Sequence, residues 1–318
     1  MQLDLFDSIF KELTLAVGIE NLKVNWSYSK MQAFRDCPRK FYYLYYGSKK
    51  RNAKAEPLKE KLIELSKLSN KYMVQGNLIH QLVSIYFRQA KKGEVWDLNR
   101  LTNFGLMIIE EIIAYNNAVK SGIPETPKFP KPILKELYYS TVSANDIKIE
   151  IIDIVQNCLN SFWNSEEYTH LKYGGTKPSS KIEGDTSFLL NNTISVDGKV
   201  DIAFLDQRHL IIADWKTGKK ELEDTSLQLL VYALWARQLT EWSFDSIEIQ
   251  KAYLATGVLE KLEFSELHIE RAKAKIMQDG EMLKEMDQFG KHSVKEAFAM
   301  HRGKNCRLCP FEEICNSK

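Results

Sequence analysis

The sequence predicts an α/β fold in which a central mixed sheet is flanked by helices, and a change in hydrophobic period carries that expectation. Across 58–120 and again over 133–164, apolar residues recur at i, i+3 and i+4, as Leu78, Leu82, Ile85 and Tyr86 do. From Lys181 the pattern turns into short β-branched runs bounded by Asn-Asn and Asp-Gln-Arg turns. A helix over 221–239, a strand over 245–256 and a long polar helix over 265–290 then follow, the alternation of an α/β or α+β protein.

The composition is globular. Of 318 residues 44% are hydrophobic and 27% charged, with only 15 Gly and 8 Pro, which excludes disordered and collagen-like chains. A net charge of +2 excludes a polycation, but not local binding of nucleic acid. No run approaches the ~18 consecutive apolar residues of a membrane span. The first residues lack a basic n-region and a small-residue cleavage site, so a cytoplasmic protein with reduced thiols is expected.

Taken in order, residues 1–26 read as an amphipathic helical extension suited to docking a protein partner. Residues 27–57 continue helically, with Ser27 and Ser29 as N-cap candidates and Gly47 as a C-cap. Residues 58–180 form a helical region interrupted at 121–132, where four of the eight prolines lie. This region is a second candidate surface for a protein partner. Residues 181–300 hold the strands and the last long helix, and 301–318 are a cysteine-rich tail.

Five cysteines occur, and their placement is uneven. Cys306, Cys309 and Cys315 make a C-x2-C-x5-C run, while Cys37 stands far upstream and, like Cys309, precedes a proline. Four thiolates is the ligand number of zinc or of an iron–sulfur cluster, and the Cys-Pro pairs match the ferredoxin ending. Cys158, inside an apolar helical stretch, reads as core.

Four short patterns carry the candidate chemistry. Asp214-Trp215-Lys216 ends the hydrophobic strand Leu210–Ala213, so that Asp214 and Lys216 share one face and Trp215 takes the other. Asp201, in Gly198-Lys-Val-Asp201, reaches Asp214 across the hairpin, and two acids that close call for a cation such as Mg²⁺ or Mn²⁺. His80 lies on a helix four residues after Gly76. Gln228 and Tyr232 share a helix face at i, i+4. Singly, each has a plain structural explanation: an ion pair, a solvated acid, a packed histidine, a packed tyrosine.

Their order is more specific. G-x3-H, G-x2-D, D-x-K and Q-x3-Y, bracketed by one early cysteine and the late C-x2-C-x5-C, resemble the RecB-like branch of the PD-(D/E)XK nuclease superfamily. Within it, the pattern is similar to the iron–sulfur members: AddB-type nuclease domains and the CRISPR-associated and phage RecB-like exonucleases. The resemblance implies a restriction-endonuclease-like core over 181–300 with a helical insertion and a C-terminal iron–sulfur staple. It implies that His80, Asp201 and Asp214 ligate catalytic Mg²⁺ or Mn²⁺ and that Lys216 orients or activates the attacking water. Gln228 and Tyr232 would contact DNA or brace the site. Cys37, Cys306, Cys309 and Cys315 would hold a 4Fe–4S cluster, with zinc the alternative. The implied activity is a deoxyribonuclease, an exonuclease on single-stranded DNA or DNA ends in repair, recombination or defence. The alternative is a subunit of a helicase–nuclease or defence complex whose cleavage depends on a partner.

The segment 28–54 holds eight Lys/Arg against Asp36 alone, a local charge of +7 that leaves −5 for the rest of the chain. Its seven aromatics cannot all face a DNA groove from one helix. The expected division puts the rings in the core and leaves Arg39, Lys49, Lys50 and Arg51 as contacts to phosphate.

Overall fold

A computed structural model of the chain describes residues 23–49, 57–122, 131–191, 193–218, 226–239, 243–292 and 295–316. Of the expected helical extension over 1–26, residues 1–22 lie outside the described residues, as do Lys50 and Arg51. Residues 24–26 form a strand instead of helix because they pair with a second strand. In chain order the elements are β1 (Val24–Trp26), α1 (Tyr28–Asp36), α2 (Pro38–Tyr42) and a π-turn over Tyr43–Gly47. Then come α3 (Pro57–Leu65), β2 (Leu68–Ser69), α4 (Lys71–Lys91), α5 (Leu98–Lys120) and β3 (Ile133–Leu134). After these follow α6 (Lys135–Tyr138), α7 (Ala144–Asn164), α8 (Thr169–Thr176), β4 (Lys181–Asp185), β5 (Phe188–Leu190) and β6 (Ile194–Val196). The series ends with β7 (Lys199–Asp206), β8 (His209–Lys216), α9 (Ser226–Leu239), β9 (Ile247–Tyr253), β10 (Val258–Lys261), α10 (Glu266–Lys291) and α11 (Glu312–Asn316).

The chain forms two compact units. One comprises 1–66, 187–198 and 266–318; the other comprises 67–186 and 199–265. We call them unit 1 and unit 2.

Unit 2 is built on a five-stranded mixed sheet in the order β10-β9-β8-β7-β4, in which only β8 and β9 run parallel. The helix α9 joins that parallel pair, as a crossover requires. Asn70, Asp97 and Ser143 cap α4, α5 and α7 by accepting from the backbone N–H three residues on. The apolar faces of these helices close over the sheet around Leu82, Phe87, Ile109, Val155, Phe162 and Trp215. Trp215, 2% exposed, stacks on Phe87 with ring centroids 6.2 Å apart and meets Phe162 edge-on at 5.8 Å. The odd residue of Asp-x-Lys is therefore the anchor that fixes which face its two neighbours present. Gly175 lies against Phe87 and Ile202 so closely that a Cβ would come within 2.5 Å of both, which seats α8 on the sheet.

Unit 1 has its own small sheet, β1-β6-β5, in which β1 runs parallel to β6 across some 170 residues of sequence. The expected meander after Lys181 is thus broken. Residues 187–198 leave the sheet of unit 2, form the β5–β6 hairpin in unit 1 and return at β7. Ser27 caps α1, accepting from the Lys30 N–H at 3.2 Å, whereas Ser29 lies inside the helix. Gly47 ends the π-turn and Ser48 follows as its cap. The buried Asp279 of α10 accepts from Trp26 Nε1 at 3.0 Å and pairs with Arg35 at 2.6 Å, tying α10 to β1 and α1. Among the described residues no helix is long and apolar enough to cross a membrane.

Candidate active site and four-cysteine pocket

All the charged residues of the four patterns come together in unit 2. In the β7–β8 hairpin Ile202 pairs with Ala213, which sets Asp201 opposite Asp214 at the next position of the register. Asp201 is buried, and each of its oxygens is engaged. Oδ1 lies 2.9 Å from His80 Nδ1, and Oδ2 accepts the Trp215 backbone N–H at 2.8 Å. Burial, with the nearby Asp214 charge, pushes the Asp201 carboxyl above the usual carboxylate range, although His80 and the Trp215 amide pull the other way. For His80, burial favours the neutral ring. The bond to Asp201 and the charges of Asp201, Asp214 and Glu183 outweigh it and raise the imidazole above its ordinary value.

Asp214, 3% exposed, is positioned by the helix that follows its strand. Gln228 Nε2 donates to its Oδ1 at 3.3 Å, and the Tyr232 hydroxyl lies 3.0 Å from the same oxygen. The amide also donates to the Tyr232 oxygen at 3.1 Å, and Gln228 Oε1 accepts from Lys216 Nζ at 3.1 Å. Burial and the two aspartate charges hold the Tyr232 phenol far above its normal pKa, so it stays a donor. The i, i+4 pair thus braces the site from within, and a Tyr232 that is 2% exposed has no face left for DNA. The ammonium of Lys216 lies 2.6 Å from Asp214 Oδ2 and pairs with it.

Glu183 is a site residue that sequence reasoning missed. It falls opposite Asp201 in the β4–β7 register, between the pairs Ile182–Ile202 and Gly184–Val200. Its φ of 51° is uncommon for a residue with a side chain and of a kind that gathers at functional sites. His80, Glu183 and Asp201 each offer a ligand atom, and the three atoms lie within 4.8 Å of one another. Lys199 pairs with the Glu183 carboxylate from the partner strand. One imidazole nitrogen and several carboxylate oxygens suit a hard divalent ion. Clustered acids fit that group, since without a cation they repel one another.

The four terminal cysteines meet in unit 1. Cys37, Cys306, Cys309 and Cys315 all line one cavity, and none forms a disulfide. Cys37 sits in extended backbone between α1 and α2, where Pro38 starts the second helix. Cys306 and Cys309 bracket a short turn closed by the Cys309 N–H on the Cys306 carbonyl at 3.0 Å, and Gly303 N–H donates to Cys306 Sγ at 3.4 Å. Burial pushes the Cys309 thiol up to about 11, with Cys315 and Cys37 adding to the shift and Lys40 opposing it. Burial and the neighbouring Cys37 raise Cys315 as well, while Arg39 and Arg302 offset them. Cys158 is fully buried in the core of unit 2.

Tyr43 and Phe311 line this pocket and belong to a larger aromatic cluster. Phe41, Tyr42 and Tyr43 are buried and pack on Phe298 and Phe311. Arg39, expected at DNA or as a brace, donates to the Phe298 carbonyl at 2.8 Å. Lys49 is exposed.

No curated protein matches the chain. A family model described as the PD-(D/E)XK nuclease superfamily matches residues 25–316. That span takes in every side chain placed above, and the acids of paired strands with a lysine beside them are the chemistry of its name. The chain belongs to the PD-(D/E)XK nuclease superfamily, whose members are metal-dependent nucleases.

Proposed function

We infer that the protein is a RecB-like deoxyribonuclease of the iron–sulfur kind, an exonuclease that acts on single-stranded DNA or DNA ends. The observation that carries this reading is the meeting of His80, Glu183, Asp201, Asp214 and Lys216 on adjoining strands and one helix of a single unit. His80, Glu183, Asp201 and Asp214 would hold Mg²⁺ or Mn²⁺. Such an ion supplies Lewis acidity toward the phosphate and a bound water that ionises near neutral pH.

The chain's own groups do the positioning. Asp201 is locked by the Trp215 amide, so its second oxygen keeps a fixed place beside His80. Lys216, steered by Gln228 and Asp214, orients the attacking water and steadies the charge that grows on the phosphoryl oxygens. Gln228 and Tyr232 hold Asp214 with neutral donors, leaving its charge intact.

The cysteine pocket supports a cluster over a single zinc ion. In a tetrahedral site with Zn–S bonds of about 2.3 Å, the sulfurs lie about 3.8 Å apart. Among the described residues, no three cysteine sulfurs lie mutually within 4.8 Å. The basic Lys40, Arg39 and Arg302 offset the negative charge of four thiolates. The protein isolated without oxygen is expected to be brown and to absorb near 400 nm.

The test of activity uses the whole chain on oligonucleotides blocked at the 5′ end, the 3′ end, both or neither. We expect Mn²⁺-dependent cleavage of single strands that EDTA abolishes and that a block at one end stops. Equal cleavage of doubly blocked strands would replace exonuclease by endonuclease. No cleavage with either metal would remove the reading.

A further inference from the structure

Unit 1 carries a second concavity, of about 720 Å³, that shares no residue with the catalytic set. Its size falls in the range of pockets that hold organic ligands and far exceeds a single ion. Lys23, Lys30, Lys49, Lys59 and Lys291 border it, and they come from five different segments of the chain. Asp287 is the acid among its lining residues, and it is already engaged by the Tyr46 hydroxyl and, at 3.6 Å, by Lys291.

Lys30 and Lys59 are half-buried, whereas Lys23, Lys49 and Lys291 are exposed at the border of the concavity. Lys30 donates to the Asn25 carbonyl at 2.9 Å and stands 5.6 Å above the Tyr45 ring. Burial pulls its pKa below the ordinary lysine value; Lys49 and Lys291 add to this, while Asp287 and Asp197 counter it. Gathering ammonium groups in a partly dehydrated hollow costs free energy unless anions enter. Polyanion strands relieve that cost through phosphate contacts, and they also carry flat bases for an aromatic wall such as Tyr45 and Tyr46.

We propose that this concavity is a binding site for the phosphodiester backbone of a single nucleic-acid strand, separate from the metal-ligating residues. A hollow lined from five segments and larger than one phosphate meets several phosphates of a chain. The choice of a polymer rests on the nuclease reading above; the pocket's affinity for phosphate does not.

Fluorescence anisotropy of a labelled 20-mer of thymidine, with the full chain in EDTA, tests the site over a series of salt concentrations. The triple variant Lys23→Gln, Lys49→Gln, Lys291→Gln is expected to weaken binding at least tenfold. It should also lower the slope of log K against log salt by about 2, since each single-strand phosphate contact contributes about 0.7. Should the triple variant melt early, Lys23→Gln with Lys49→Gln, both exposed, carries the test with a slope lowered by about 1.4. Wild-type affinity and slope in these variants would overturn the proposal. So would thymidine monophosphate binding that the variant loses while binding of the 20-mer is unchanged, which would assign the pocket to a free nucleotide. If wild-type protein cleaves nothing with Mn²⁺ yet binds the 20-mer in a variant-sensitive way, the nuclease reading fails and this site stands.

Discussion

Unit 2 gathers its reactive groups on paired strands and one helix, whereas unit 1 gathers its cysteines on turns and helix ends. The difference is one of preorganisation. Asp201 and Asp214 have their oxygens directed by an amide, a histidine, a glutamine and a tyrosine, all of which exist whatever ion is present. The thiols of unit 1 are held by short elements beside an aromatic cluster, with burial opposing the charged form that any metal needs. A site of the first kind is a rigid tool that an ion completes. A site of the second kind gains much of its order from the group it binds.

That contrast can be broken by substitution. Lys216→Ala is expected to lower single-strand cleavage about a thousandfold, the upper range for one positioned catalytic group, with strand affinity retained. Cleavage at the wild-type rate would remove Lys216 from the site. Glu183→Gln keeps the shape and removes one charge, and a loss of about 10- to 100-fold, with a higher Mn²⁺ requirement, is expected. A kcat and Mn²⁺ dependence like wild type would leave Glu183 as a partner of Lys199 alone. Tyr232→Phe removes one of two neutral donors to Asp214 while Gln228 remains, so about a tenfold fall in kcat with little change in KM is expected. The smallest effect on chemistry belongs to Cys309→Ser. It should bleach the 400 nm band and lower the melting temperature by about 5–10 °C, in line with loss of a few kcal/mol. The surviving folded protein should hydrolyse a small diester such as bis-p-nitrophenyl phosphate within about threefold of wild type. A fall as deep as that of Lys216→Ala would erase the distinction between the two centres.

Much of the catalytic geometry was legible because it is local. Asp214 and Lys216 share a strand face by alternation, Gln228 and Tyr232 share a helix face by i, i+4 spacing, and Asp201 meets Asp214 across one tight hairpin. Glu183 was not legible, for a topological reason. Its partner on the register is Asp201, but the chain between them leaves for another unit and comes back. The pattern from Lys181 to Leu205 consequently reads as a plain meander, and only the acid-glycine pair Glu183-Gly184 hints otherwise. The parallel pairing of Val24–Trp26 with Ile194–Val196 was hidden by distance in sequence, since three-residue strands carry almost no period. In the segment after Ser27, composition separated rings from charges only in part: Phe41, Tyr42 and Tyr43 are buried and Lys49 is exposed, but Tyr28, Phe34, Tyr45 and Tyr46 are half-buried. It could not show that Arg39 would be drawn in to a backbone carbonyl, which depends on residues 259 positions away.

The three-segment make-up of unit 1 also orders its birth on the ribosome. Once residue 265 has emerged, every part of unit 2 exists and its sheet can close. Unit 1 then has β1 and the β5–β6 hairpin but lacks α10, and its cysteine pocket has one wall and one thiol. At about 5–20 residues per second, translation of the stretch from 266 to Cys315 leaves that half-built unit waiting roughly 3–10 s. During that interval Trp26 and Ile194, buried in the finished fold, stand uncovered. Nascent chains of this protein should therefore recruit chaperones until residues 266–315 have emerged.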